Sequence, residues 1–559
     1  MEPKAEHTTS PPVPPTSSKA SRSYWPWFLA LVLGTASFIF IGRNEYVVCT
    51  PSNDVFTLDD YFARVQCISI RGDKVFDVGS KETLVRSVLP QRVVTLPTNA
   101  IIIPGLAVLT SFSDAHAHIL ENGLLKQLSL VGATSPKDVI RRVRNYVLAH
   151  PDILYNRTRW VQGMGWDQTR WTHQEFPTAE DLENDPVLVG RPIALRRVDG
   201  HAIWVSQAVL EEMGDLPPSK EPEGGQIIRD ADGLPSGVFV DNAMNLVPIP
   251  QWTIDEMELF FQTTMKEALR EAYWGDRVQK LFNYGKHGRL TMRSVKLFSD
   301  GALGSWGAAL LEPYTDRPKS RGLLLVDKEK LEDKVNRLYK DGWQVNIHCI
   351  GDRANHIVLD IFENILEDDV DGTNVTNWRP RIEHAQIMTL DDLKRIGRLG
   401  VIASVQPTHA TSDMWYAEIR LGSARTKGAY AYQTLLQSSP LRILPLGSDF
   451  PVESVNPLLG FYAAVSRLSV DGTSPHGPNG WYAQQSQRLT RAQALKGMTL
   501  DAAYASFNEK TLGSLTPGKK ADFVVLDRNI MDEDGDPAEI LAAKVLATVI
   551  DGEVAYGEI

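Results

Sequence analysis

The stretch "FSDAHAHI" (residues 112–119) sets His116 and His118 one residue apart, behind Asp114. In an extended chain, positions i and i+2 share a face, so the two imidazoles can bind one cation together. Farther along, single residues of ligand or base type interrupt apolar runs. They are Lys296 in "SVKLFSD", His348 in "QVNIHCIGD", His384 in "PRIEHAQ" and Asp449 in "RILPLGSD". Each alone has an ordinary reading. A lone histidine is usually a structural hydrogen bonder, an aspartate before a proline forms a turn or a cap, and a lysine in an apolar run pairs with an acid or extends to solvent. Four histidines, an aspartate and a lysine near the ends of apolar strands instead suggest one site. Its chemistry would be that of a bound cation.

The elements that must position these residues alternate along the chain. "SVKLFSDG" precedes the amphipathic stretch "DKEKLEDKVNRLYKDG", and "WQVNIHCIG" precedes "ANHIVLDIFENILED". "RPRIEHAQI" precedes "TLDDLKRIGRLG", and "VIASVQP" and "LRILPLGSDFP" continue the series. Apolar strands alternating with helices predict an α/β protein with a parallel sheet, open or closed into a barrel, and the C-terminal ends of barrel strands are where such folds build sites. Residues 155–250 break the rhythm with turn-rich sequence and read as an insertion. Both ends of the body are β-rich. "IRGDKVFDVG" predicts a hairpin turning at Gly72-Asp73, and "KVLATVIDGEVAYG" another turning at Asp551-Gly552, so the two ends are expected to meet in one small sheet domain.

The set His116, His118, Lys296, His348, His384 and Asp449 resembles, in chain order, the amidohydrolase superfamily, and within it amidohydrolase family 3, which includes N-substituted formamide deformylases. Further similar motifs are "GWDQTRW" (165–171), "RRVDGHAIWVS" (196–206) and "GSLTPGKKADFVVLD" (513–527). The resemblance spans about residues 45–557. It implies a (β/α)8 barrel over 111–489 and a β-sandwich from 43–110 and 490–559. It also implies one or two divalent metals, zinc foremost. His116, His118 and Asp449 would hold the more buried ion and His348 and His384 the second, with Lys296 bridging them as a carbamate. Asp449 would be the general base and His201 a donor to the developing oxyanion, while Trp166 and Asp167 would line the substrate pocket. The expected reaction is cleavage of a non-peptide carbon–nitrogen bond in a small amide, formamide or cyclic amide. Two alternatives are a one-metal enzyme with unmodified Lys296, and a non-catalytic binding protein with a vestigial pocket. The chain departs from the pattern in one place. Pro104-Gly105 is separated from Asp114 by "LAVLTSFS", read as either a longer loop or a retained piece of intron.

The 559 residues carry a net charge of −11 and no basic cluster in the body, so nucleic acid is not an expected partner. Residues 1–23, rich in Pro, Ser and Thr, read as a disordered tail. Residues 24–42, "YWPWFLALVLGTASFIFIG", contain no charge and read as a transmembrane signal anchor, or else a cleaved signal. Lys19 and Arg22 before it favour a lumenal or extracellular body, as do the sequons at Asn156 and Asn374. Of three cysteines, Cys49 and Cys67 could be bridged or stand as separate buried thiols. A homodimer is left open.

Overall fold

The computed structural model describes residues 45–59, 63–88, 92–105, 119–217, 221–253, 256–257, 259–260, 280–284, 290–367, 375–481 and 487–559. The expected tail, the segment 24–42, the sequon residue Asn374 and the "SDAHAH" stretch with His116 and His118 lie outside them. Among the described residues, no helix is long and apolar enough to cross a membrane.

Strands from the two ends of the body pair directly. Ile101–Pro104 runs antiparallel to Phe523–Leu526, which pairs with Val545–Ile550 and through it with Glu553–Gly557. A second sheet joins Lys74–Gly79, Cys67–Arg71, Glu45–Cys49 and Arg92–Thr95. The two sheets share a core that includes Val48, Ile70, Ile102, Phe523 and Val525. Ile101, Ile103, Val524 and Leu526 point the other way, into the core of the main body. Alternate side chains leave opposite faces of a strand, so burial on both faces explains why "IIIP" and "FVVL" are continuously apolar. Both predicted hairpins form, with turns at Gly72-Asp73 and Asp551-Gly552. Cys49 and Cys67 are register partners on neighbouring strands, and they form a disulfide.

The main body carries a parallel sheet of Ser294–Phe298, Gln344–Cys349, Arg381–His384 and Ile402–Ser404, in chain order. Helices Lys328–Lys340, Asp352–Glu367 and Asp392–Leu399 make the crossovers. The last stops at Gly400, whose φ of +70° suits a residue without Cβ. The sheet continues by one parallel bridge, Val405 to Leu446, so "LRILPLGSD" contributes a single bridged position rather than a full strand. A second parallel pair, Val161–Trp166 and Ile193–Arg197, is extended antiparallel by Ala202–Val205, Pro235–Asp241 and Gly225–Arg229. The stretch 155–250, expected to be an insertion, thus contains that parallel pair as well as the antiparallel strands that extend it.

Candidate metal centre

The parallel register sets the site residues side by side. Lys296 pairs with Asn346, Phe298 with His348, and Cys349 with His384. His348 is the fifth of six strand residues and His384 the last of four, whereas Lys296 lies two residues before its strand ends. All three line one cavity of about 1010 Å³, together with Asp167, His201, His409 and Asp449. His384 and Asp449 take φ values of +74° and +59°, uncommon for side-chain-bearing residues.

The ring centroids of His348 and His384 are 4.4 Å apart, edge to face. His384 Nδ1 lies 2.9 Å from Gln406 Oε1, which fixes the ring and leaves Nε2 as its other donor atom. Asp449 Oδ2 is 3.6 Å from His409 Nε2. His384, His409 and Asp449 are buried and offer ligand-type atoms all within 4.8 Å of one another. His409 Nε2 is buried and has no hydrogen bond among the described residues. Two imidazoles and a carboxylate at this spacing fit a divalent cation of the zinc type.

The surrounding electrostatics depend on burial. Burial lowers the Lys296 pKa, against the opposing pull of Glu383 and Asp449. His201 Nδ1 is 2.7 Å from Asp241 Oδ1; burial works to lower its pKa, but the bond to Asp241 prevails and raises it to about 9. The bond to Asp241 thus favours the protonated form of His201, and its ring lies 5.1 Å from that of His348. The glycines of "DGALGSWG" allow the loop to close on Asp241: a Cβ at Gly301 or Gly307 would come within 2.4 Å of its carboxylate. Asp300, next in that loop, is pushed up to about 7 by burial while three backbone N–H groups hold it down. His348 Nε2 lies 3.6 Å from its Oδ1.

The two residues expected in the substrate pocket separate. Asp167 lines the cavity and accepts a 2.6 Å bond from Arg197 Nη2. Trp166 is fully buried in the core around the Val161–Trp166 strand, with its Nε1 donating to Leu195 O at 2.7 Å. The expectation that Trp166 contacts substrate is therefore corrected. Trp166 is the last residue of its strand, whereas Asp167 caps the short helical turn that follows and so faces the cavity instead.

The model of the Amidohydrolase family matches residues 104–556. The chain belongs to that family. It is thereby a hydrolase of the metal-dependent amidohydrolase superfamily. It is 31% identical to Protein LONG AFTER FAR-RED 3 of Arabidopsis thaliana, over 90% of each chain. It is 27% identical to the putative amidohydrolase YtcJ of Bacillus subtilis, over 90% of this chain and 98% of the relative. To the N-substituted formamide deformylase of Arthrobacter pascens it is 24% identical, over 90% and 97%. Among solved structures, an uncharacterized metal-dependent hydrolase of Pyrococcus horikoshii aligns with a TM-score of 0.62 at 25% identity, covering 87% of this chain and 98% of that one.

Two residues of this amidohydrolase escaped sequence reasoning. His409 stands in the first turn of the helix Pro407–Asp413, beyond the strand of "VIASVQP". The available signal was a histidine two residues after a proline that starts a helix at a strand's C-terminal end. Asp241 ends an apolar strand of the insertion, where only its contact with His201 reveals a role.

Proposed function

We propose that this amidohydrolase hydrolyses a non-peptide carbon–nitrogen bond in a small amide, N-substituted formamide or cyclic amide, within a (β/α)8 barrel of which the two parallel arcs are parts. The observation that carries this reading is the buried His384, His409 and Asp449 cluster inside a cavity large enough for a small molecule. One or two divalent ions, zinc foremost, would be held by His116, His118, His348, His384 and Asp449, with His409 adding an imidazole. Such ions supply Lewis acidity and lower the pKa of water. Lys296 would bridge them as a carbamate. Its buried amine is biased towards the neutral form that adds carbon dioxide, forming an N–C bond and releasing one proton.

Asp449 takes the proton of the attacking water and returns it to the leaving nitrogen. His201, held through Nδ1 by Asp241, presents its second N–H to the developing oxyanion. Asp167 holds Arg197 at the cavity wall and thereby fixes the shape of the pocket. We further place the body on the lumenal or extracellular side of a membrane, anchored through residues 24–42. This agrees with the Cys49–Cys67 disulfide.

The test is metal analysis of the purified chain with a turnover screen over formamides, acylamines and hydantoin-like rings. Asp449→Ala and His384→Ala should abolish turnover and lower bound metal while the circular dichroism spectrum is retained. Full turnover in either variant would refute the scheme. Metal stoichiometry separates the two-ion site from a one-ion site with unmodified Lys296.

A further inference from the structure

Four arginines line the cavity, and three have acidic partners. Arg197 is paired with both Asp167 and Asp199. Arg381 Nη2 is 2.6 Å from Glu383 Oε1, and Arg170 Nε is 3.8 Å from Asp167 Oδ2. Arg196 is the exception. Among the described residues its side chain makes no hydrogen bond or ion pair, although the Glu121 carboxylate bears on it from beyond ion-pair distance. It is half-buried on the Ile193–Arg197 strand, between Met164 and Ile203 of the neighbouring strands. It borders the main cavity and, with Gly200 and His201, a second pocket of about 220 Å³.

A guanidinium stays charged in proteins, so partial burial with no acid at ion-pair distance among the described residues, Glu121 acting only from farther off, carries a desolvation cost that a bound anion would offset. Arg196 lies on the same wall as His201, whose ring packs near His348. An anion held there would be part of a molecule whose other end reaches the candidate centre. Its planar donor fork matches a carboxylate in two parallel hydrogen bonds. Glu121, Asp167 and Asp199 make the same wall acidic. A dianion such as a phosphate monoester would be repelled more strongly there than a single negative charge, which the guanidinium of Arg196, paired at close range with no acid among the described residues, can hold.

We propose that Arg196 binds a carboxylate on the substrate, so that the substrate class is amides bearing a carboxylate, such as N-formyl or N-acyl amino acids. This rests on the hydrolase reading above. Arg196 is here a specificity-determining residue that touches the part of the substrate that does not react.

The experiment compares N-formylphenylalanine with N-formylphenethylamine, which lacks only the carboxylate, using the metal-loaded full chain and its Arg196→Ala and Arg196→Lys variants. The wild type should prefer the acid by at least about tenfold in kcat/KM, chiefly through KM. Arg196→Ala should bring that ratio close to one, and Arg196→Lys should keep part of it. A wild-type ratio near one, or an unchanged ratio in Arg196→Ala, overturns the proposal. If neither compound is turned over, the hydrolase reading fails on these substrates, and calorimetric titration with N-formylphenylalanine decides for Arg196. Binding that Arg196→Ala abolishes upholds the anion site; no binding to the wild type overturns it.

Discussion

His409 Nε2 stands 3.6 Å from Asp449 Oδ2, the first from the opening turn of a helix and the second from a loop, both at the C-terminal side of the same parallel sheet. A buried imidazole nitrogen facing a buried carboxylate is a favourable place for a cation and an unfavourable one for water-free packing. His409→Ala is therefore expected to lower both bound divalent metal and turnover, by about 10- to 100-fold in affinity or rate. Metal content by mass spectrometry, measured alongside kcat, checks this. Wild-type values for both would remove His409 from the site.

How much of this centre could be read from the chain depended on where each residue sits. Residues on strands were legible, because a histidine that interrupts an apolar run, as His348 and His384 do, is hard to account for by packing alone. His409 was not, because a histidine in a helix's first turn leaves no periodic trace. Asp241 was hidden for another reason: its role is defined by His201, forty residues earlier and just before a neighbouring strand. Trp166, expected at the pocket from the resemblance, ends its strand with its ring in the core, whereas Asp167, in the turn beyond, faces the cavity. The two hairpins were legible from their turns, but the pairing of Ile101–Pro104 with Phe523–Leu526 is a long-range contact that no local pattern specifies.

Trp166 packs against Trp171, Phe176 and Trp204. Trp166→Ala should thus behave as a core truncation, costing about 3–5 kcal/mol of stability. Trp166→Phe should lose less and leave KM for any substrate near the wild-type value. Urea unfolding and steady-state kinetics on the same samples separate packing from binding, and a KM change in a stable Trp166→Phe variant would restore Trp166 to the pocket.

The two chain ends are also tied by charge. Lys520 Nζ lies 2.8 Å from Asp73 Oδ2 and 2.7 Å from Asp551 Oδ1, one carboxylate from each hairpin turn. The hydrogen bond from Lys520 lowers the Asp73 pKa below its ordinary value. A carboxyl whose folded pKa lies below its unfolded value stabilises the fold above the unfolded value, near 3.9, and loses that contribution as pH falls through the folded value. The cluster is partly exposed, so the effect is below about 1 kcal/mol. Lys520→Met should lower thermal stability at pH 7 and leave it nearly unchanged at pH 2, as read by differential scanning calorimetry. Equal losses at both pH values would contradict this account.

Asn156 is exposed at the end of a helical turn, and both the backbone N–H and the hydroxyl of Thr158 donate to its Oδ1, at 3.1 and 2.8 Å. The sequon is thus presented on the surface, where a glycosyltransferase could reach it. With a lumenal body, the full chain expressed in eukaryotic cells should carry an N-glycan here. Cys49 and Cys67 should then resist alkylation until a reductant is added. Peptide mass spectrometry after enzymatic deglycosylation reads the conversion of Asn156 to aspartate. Unmodified Asn156 together with freely alkylated cysteines would place the body on the other side of the membrane.

Asp300 organises the loops behind His348. Its Oδ1 accepts the N–H of Ile350 at 3.0 Å, and its Oδ2 accepts those of Gly351 at 2.8 Å and Ala309 at 2.9 Å. The loops approach so closely that a Cβ on Gly351 would lie 1.9 Å from Ala309 O. Asp300→Asn keeps the shape but changes the inventory, because one acceptor oxygen becomes an amide donor. If the remaining oxygen faces Gly351 and Ala309, the new NH2 confronts the N–H of Ile350. If it faces Ile350, two backbone donors lose their acceptor instead. Either orientation buries at least one unsatisfied N–H, at about 1–3 kcal/mol each. Asp300→Asn should therefore lower the urea midpoint, and the loss should persist in chelator-treated protein, because it arises in backbone hydrogen bonds. A loss that vanishes when metal is removed would show instead that Asp300 acts through the centre itself.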